Sequence, residues 1–194
     1  MSTHQSATKS RILAAALELL RDKGGKGVRM ADIAAAADVS RQAVYLHFES
    51  RLNLMVETVR YGDEVAQAAA QVRPWQEASG TDKLDAWIEF WGNYIPQIYG
   101  VAKALMLARE TDDAADAAWN DRMADVRRSC KKTIDSLAEC GQLASEWKNR
   151  TATDLLWNLL SFPAWEQYTQ SCGWSKARYI RNMQVMARRV LVEP

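Results

Sequence analysis

Between Ser40 and Arg51 the chain carries Arg41, Gln42, Ala43, Tyr45 and His47, interleaved with the apolar Val44 and Phe48. Arg and Gln present paired hydrogen-bonding groups at the spacing of a base edge. Arg41 can donate twice to the O6 and N7 atoms of guanine, Gln42 can pair with the N6/N7 edge of adenine, and Ala43 can touch a thymine methyl. Tyr45, His47 and Arg51 lie further along, where phosphate oxygens rather than bases are the expected partners; such contacts orient a protein on a duplex without reading it. This is the chemistry of recognition. Bond-making chemistry has little to stand on: there are two histidines, His4 and His47, and no His-Glu-x-x-His, phosphate loop, Gly-x-Ser-x-Gly or paired-cysteine pattern. No enzyme activity, cofactor or metal is expected.

For those side chains to point outward together, residues 29–51 must form two short helices joined by a tight turn. The first covers about Met30 to Ala37; the second starts at Ser40, a good N-cap, and ends near His47. Ile33, Val39, Val44 and Phe48 are expected to pack on Ile12 and Ala16 of a preceding helix running from Thr8 to Lys23, whose stop is Gly24-Gly25. A fourth helix, about 50–72, turns Leu52, Val56 and Val59 inward and halts before Pro74.

Arg11-Ile12-Leu13-Ala14-Ala15-Ala16, Gly24-Gly25, Ile33-Ala34, Val39-Ser40, Val44-Tyr45-Leu46-His47-Phe48 and Leu54, in that order, resemble the DNA-binding domain of the TetR family over about Thr8 to Val56. The resemblance implies a homodimer, a palindromic operator and an effector-binding C-terminal domain. By position, Arg41, Gln42 and Ala43 correspond to base-reading residues and Tyr45, His47 and Arg51 to backbone contacts. There are two departures. Asp38 stands where glycine is usual in the turn, and Asp tolerates left-handed geometry better than most residues. Arg29 stands where Ser or Thr often caps the second helix, which trades a cap for a phosphate contact.

Residues 1–51 hold eight Lys/Arg against five acids, whereas the whole chain of 194 residues is only +1. The sign suits an N-terminal head that meets phosphates and a body that does not. No apolar run is long enough for a membrane span and the start of the chain lacks a signal-peptide layout, so a cytoplasmic protein is expected. Cys130, Cys140 and Cys172 make no disulfide framework and read as buried thiols. On one helix, Cys130 and Cys140 would stand about 15 Å apart, beyond bridging reach.

Helical periodicity also dominates beyond Pro74. A polar connection, 75–81, leads to helices at about 82–95, 97–109, 112–140, 151–172 and 175–192, with Pro96 separating or kinking the first pair. Thr111 is the expected cap of the long helix and Gly141 its stop; Thr151 with Asp154 resembles a capping pair; Pro163 should bend its helix. The architecture expected is all-α, about nine helices: a helix-turn-helix head, residues 1–51, then a helical effector-binding and dimerisation bundle, residues 52–194.

Seven of the eight tryptophans lie beyond residue 81. Trp87, Trp91 and Tyr94 share a helical face, and Met106, Trp119, Met123, Trp157 and Phe162 can supply facing walls, an environment for an apolar or aromatic small molecule. Glu89 or Glu110 could counter a cationic one. The acids Glu110, Asp112, Asp113 and Asp116 read as helix-start residues before they read as a metal site. Arg127, Arg128, Lys131 and Lys132 read as a solvated face. The last two helices are apolar over a wide arc, including Leu155, Leu159, Ile180, Met186 and Val190, which points to a homodimer through that face. The reading is therefore a ligand-responsive, homodimeric DNA-binding repressor. Two alternatives stay open: a small-molecule-binding helical protein with a vestigial helix-turn-helix, and a helical enzyme without a recognisable motif.

Overall fold

A computed structural model describes residues 2–23, 27–68 and 71–193. Ten α-helices carry the described chain: α1 Ser2–Asp22, α2 Met30–Ala36, α3 Arg41–His47, α4 Arg51–Ala68, α5 Arg73–Glu77, α6 Gly80–Ala108, α7 Asp113–Glu139, α8 Asn149–Leu159, α9 Phe162–Glu166 and α10 Lys176–Leu191. A π-helical turn, Gln167–Ser171, follows α9, and the one isolated bridge among the described residues pairs Leu143 with Val192. No helix among the described residues is long and apolar enough to cross a membrane. Packing separates the described chain into two units, Met1–Ala68 with Pro96–Asp121 and Ala69–Ile95 with Arg122–Pro194.

In the first unit α1 packs on α2 and α4, and α2 packs on α3. Ile12 and Ala16 of α1, Ile33 of α2, Val44 and Phe48 around α3, and Leu54, Met55 and Val59 of α4 are all buried. The expected inward face of α4 is corrected: Leu52 and Val56 are half-buried, and Leu54, Met55 and Thr58 turn inward beside Val59. Gly62 of α4 is a point of close approach, because a Cβ there would lie 3.3 Å from Ile98 and 3.6 Å from Leu17. The Gly24-Gly25 stop of α1 lies outside the described residues.

In the second unit the core includes Trp75, Trp87, Ile88, Trp91, Ile134, Leu156, Leu160, Trp165, Tyr179 and Met183. Helices α8 and α10 pack together, and α10 crosses α6 where Gly92 leaves room: any Cβ on Gly92 would overlap the side chain of Ile180.

Several boundaries differ from the sequence reading. Residues 82–95 and 97–109 form one helix, α6, continuous through Pro96. Proline removes a single N–H, and the helix runs on with Ile95 and Ile98 buried on either side of it. Residues 75–81 are no mere polar link: α5 falls there, and Trp75 is buried with its indole N–H donating to Thr133 Oγ1 at 2.9 Å. Asp112, not Thr111, caps α7, its Oδ1 accepting from the N–H groups of Ala114 (2.9 Å) and Ala115 (3.1 Å). Helix α8 begins at Asn149, so Thr151 and Asp154 lie inside it; Asp154 accepts instead from Arg127 Nε at 3.2 Å. Pro163 bends nothing: the chain breaks at Leu160, Ser161 caps a new helix, and the proline sits in its first turn, where its missing N–H costs no bond. Gly141 (φ 66°) does end α7, and Ser175 caps α10 by accepting from Arg178 N at 3.2 Å. Of the three free cysteines only Cys130 is buried; Cys140 and Cys172 are exposed, which corrects the expectation for both.

Candidate functional site

Three local devices hold α3. Asp38 adopts φ 52°, the left-handed residue that turns the chain after α2. From α1, Arg11 Nη2 donates to the carbonyl oxygens of Ala37 (2.9 Å) and Asp38 (3.0 Å), bracing that turn. Ser40 is extended, and its Oγ accepts from the N–H of Ala43 at 3.1 Å, so the first turn of α3 is capped. Behind the helix, Val44 and Phe48 are fully buried, with Lys9 Nζ 5.7 Å from the Phe48 ring centre and 3.3 Å from Glu57 of α4.

With the inner side anchored, the outer side follows from helix geometry. At about 100° per residue, Gln42 and Leu46 each fall about 160° from Val44 and straddle the outermost line of the helix. Arg41, Gln42 and Tyr45 are exposed, and Ala43 and His47 are half-buried on the flanks. The Arg41 guanidinium lies 5.7 Å from the Tyr45 ring centre, along the surface of the helix. Arg51 is exposed at the start of α4, where Ser50 Oγ accepts from Asn53 N at 3.0 Å. Arg29 is extended and exposed just before α2; having no acceptor, it leaves the capping to Asp32, whose carboxylate takes the Arg29 N–H at 2.9 Å. Arg29, Ser40, Arg41, Gln42, Tyr45 and Arg51 thus stand on the exposed surface of the head, as a duplex contact requires. Leu46 is the residue the sequence reading passed over: it is 83% exposed, and its distance from Val44 on the helical wheel was the available signal.

The second candidate site is aromatic. Trp87 stacks on Trp91 with ring centres 5.9 Å apart, Trp91 meets Tyr94 at 6.0 Å, and Phe162 approaches Trp91 edge-on at 5.6 Å. Two rings outside the expected set join the series: Trp75, 5.1 Å from Trp87, and Phe90, 5.6 Å from Trp87 and 5.5 Å from Tyr94. The Trp91 indole N–H donates to the carbonyl of Leu160 at 2.6 Å. Trp157, half-buried, lies beneath the Arg127 guanidinium at 6.0 Å, and Met123 is half-buried in the same unit. Met106 and Trp119 belong to the other unit, where Trp119 lies 5.7 Å from the Arg109 guanidinium.

Around the aromatic series sit two buried protic groups. Burial pushes the Cys130 thiol up to about 12, against the opposing pull of the Trp87 indole and the Arg127 charge. The fully buried Tyr179 phenol is likewise raised above its ordinary value, by burial first and then by Tyr168; its hydroxyl has no hydrogen-bond partner among the described residues. Several of the acids and bases singled out in the sequence are paired with near neighbours. Asp116 takes Arg109 Nε (2.8 Å) and Asn120 Nδ2 (2.8 Å), Arg128 pairs with Asp125, and Lys131 pairs with Asp135. Glu89 and Glu110 are exposed, and among the described residues no group of His, Cys, Asp and Glu is arranged to hold a metal.

Residues 12–58 match the profile of bacterial regulatory proteins of the tetR family. The HTH-type transcriptional regulator CymR of Pseudomonas putida is 30% identical over 112 residues, 55% of this chain and 53% of that protein, so the match spans about half the length of this curated relative. Among solved structures, a protein of Saccharomonospora viridis described as a transcriptional regulator, in complex with choline, superposes with a TM-score of 0.84 at 19% identity over 97% of this chain and 100% of that one. The transcriptional regulator FadR of Bacillus subtilis, in complex with stearoyl-CoA, superposes with a TM-score of 0.72 at 12% identity over 91% and 96% of the two chains. At these identities the two structures establish a shared fold.

Proposed function

We propose that this chain is a regulator of the tetR type, a homodimeric repressor that leaves its operator when a small molecule binds the helical body. The observation that carries the reading is α3 itself: a seven-residue helix anchored by Val44 and Phe48, capped by Ser40, with Arg41, Gln42 and Tyr45 exposed. On α3, Arg41, Gln42 and Ala43 read bases and Tyr45 and His47 contact the backbone, joined there by Arg29 before α2 and Arg51 at the start of α4. Residues 1–51 serve as the reading head and residues 52–194 as effector-binding and dimerisation body.

Dimerisation is assigned to α8 and α10. Leu155 (37% exposed), Val185 (42%) and Val190 (44%) leave apolar surface on them that a single copy does not cover. Two heads of such a dimer would enter successive major grooves about 34 Å apart on a palindromic operator. The effector is assigned to the aromatic series around Trp87, Trp91, Tyr94 and Phe162, with Met123 and Trp157 of the same unit as further candidates. Its faces suit an apolar or aromatic body. The choline-bound neighbour makes a quaternary ammonium compound the first to try, since aromatic faces attract such cations. A DNA partner places the protein in the cytoplasm, and no catalytic step is part of the reading.

A gel shift of the full chain on the DNA upstream of its own coding sequence, repeated over a panel of small apolar, aromatic and quaternary ammonium compounds, tests the proposal. A shifted band that one compound abolishes is the expected result. Absence of any shift above that of unrelated DNA would sink the regulator reading. A shift that no compound moves would remove the ligand response.

A further inference from the structure

We propose that Leu46 is a base-reading residue: its side chain meets the C5-methyl group of a thymine in the major groove, beside the adenine edge taken by Gln42, a role that rests on the DNA-binding reading above. Leu46 is the most exposed large apolar side chain among the described residues, at 83%, compared with 53% for Leu107 and 44% for Tyr45. It occupies no fringe position. It shares the outermost line of α3 with Gln42, one helical turn away, so both side chains reach the same partner surface.

The chemistry around Leu46 selects that partner. A protein groove would ask for a contiguous apolar patch. Leu46 has polar neighbours instead, with Gln42 and Arg41 exposed and the Tyr45 ring engaged by Arg41. A phosphate offers nothing to a side chain that neither donates nor accepts. The major groove presents hydrogen-bonding edges together with one apolar group, the thymine methyl, which is the mixture this face complements. Gln42 and Leu46 therefore form a composite reader for an A·T-containing step in each half-site.

The test uses the full chain. An operator is selected from a randomised duplex pool, and each of its thymines is then replaced in turn by deoxyuridine, which lacks only the C5-methyl. Affinities are measured by fluorescence anisotropy for the wild type and for Leu46→Ala. At one thymine position per half-site, uracil should weaken wild-type binding by about fourfold, the worth of one methyl-sized apolar contact. The same replacement should leave Leu46→Ala unaffected. Because the side chain is exposed, the variant keeps its fold, and an unchanged melting temperature verifies this. Uracil tolerated by the wild type at every position, or penalised equally in both proteins, overturns the assignment to Leu46 alone. Failure of the wild type to select any duplex overturns the DNA-binding reading, and the role of Leu46 falls with it.

Discussion

Arg11 of α1 donates to the carbonyl of Asp38 at 3.0 Å, and Asp38 is the one non-glycine residue among those described with a positive φ, 52°. The guanidinium also takes the Ala37 carbonyl at 2.9 Å. One side chain therefore holds the turn that aims α3, and it ties that turn to α1, whose Lys9 Nζ also lies 5.7 Å from the Phe48 ring centre.

Arg11→Ala removes both bonds and leaves two carbonyl oxygens to water. Stability should fall by about 1–2 kcal/mol, since bonds from a charged donor are worth more than neutral ones but this pair is partly exposed. Operator affinity should fall more than stability alone explains. Urea denaturation and a binding isotherm on the same samples check this. Asp38→Gly should act oppositely, raising stability by about 0.5–1 kcal/mol because glycine enters the left-handed region without a Cβ penalty.

Arg41→Ala and Arg51→Ala should differ in kind. Loss of Arg41 should relax preference at one base position, whereas loss of Arg51 should weaken binding to all sequences and lower the salt slope by about one per head. Binding measured on operator and scrambled DNA across a salt series separates them. Identical behaviour would refute the division of roles.

The two exposed thiols, Cys140 and Cys172, should react with a thiol reagent in the native protein, and Cys130 only after unfolding. Cys130 also sets a sign for alkaline stability. Its folded value, about 12, exceeds the ordinary 9.0, so above pH 9 the unfolded chain releases a proton that the folded chain keeps. Stability is thus full below about pH 9 and declines as pH climbs toward 12. The raised Tyr179 phenol works in the same direction. Cys130→Ala should flatten the decline, read as melting temperature against pH from 8 to 11.

Trp91→Phe keeps most of the ring but deletes the 2.6 Å bond to the Leu160 carbonyl. An unsatisfied buried acceptor costs about 1–3 kcal/mol, which calorimetry would register as a lower melting temperature. Any effector that uses the aromatic series should bind more weakly to this variant, measured by titration calorimetry.

Leu155→Arg and Val185→Arg place charge on the uncovered surface of α8 and α10. Sedimentation equilibrium should show the wild type as a dimer and the double variant as a monomer, with helical content unchanged by circular dichroism. A wild-type monomer at micromolar concentration would remove the dimer from the proposal.

The helix-turn-helix was legible in the sequence because its information is local. Ser40 as cap, Asp38 as the left-handed residue, and Val44 and Phe48 as anchors each act within a few residues, and all four take those positions. Phe162, which residue type alone offers as a facing wall, lies edge-on to Trp91 at 5.6 Å. Trp75 was misjudged as part of a polar link, because its burial depends on Thr133, fifty-eight positions away. Thr111 and Asp112 are both good caps in isolation, and only the backbone path after α6 chose Asp112.

Periodicity and capping chemistry, written in short stretches of residue types, determined that the chain is helical and that α3 presents a polar face behind which Val44 and Phe48 lie buried. The tertiary structure decided what no local pattern encodes: that α6 continues through Pro96, that Pro163 opens a helix instead of bending one, and that Arg11 reaches the turn at Asp38. The physical reason is the same in each case. A local preference is worth about a kilocalorie or less, and packing between residues distant in the chain supplies more than that, so the distant partners choose among the options that local chemistry leaves open.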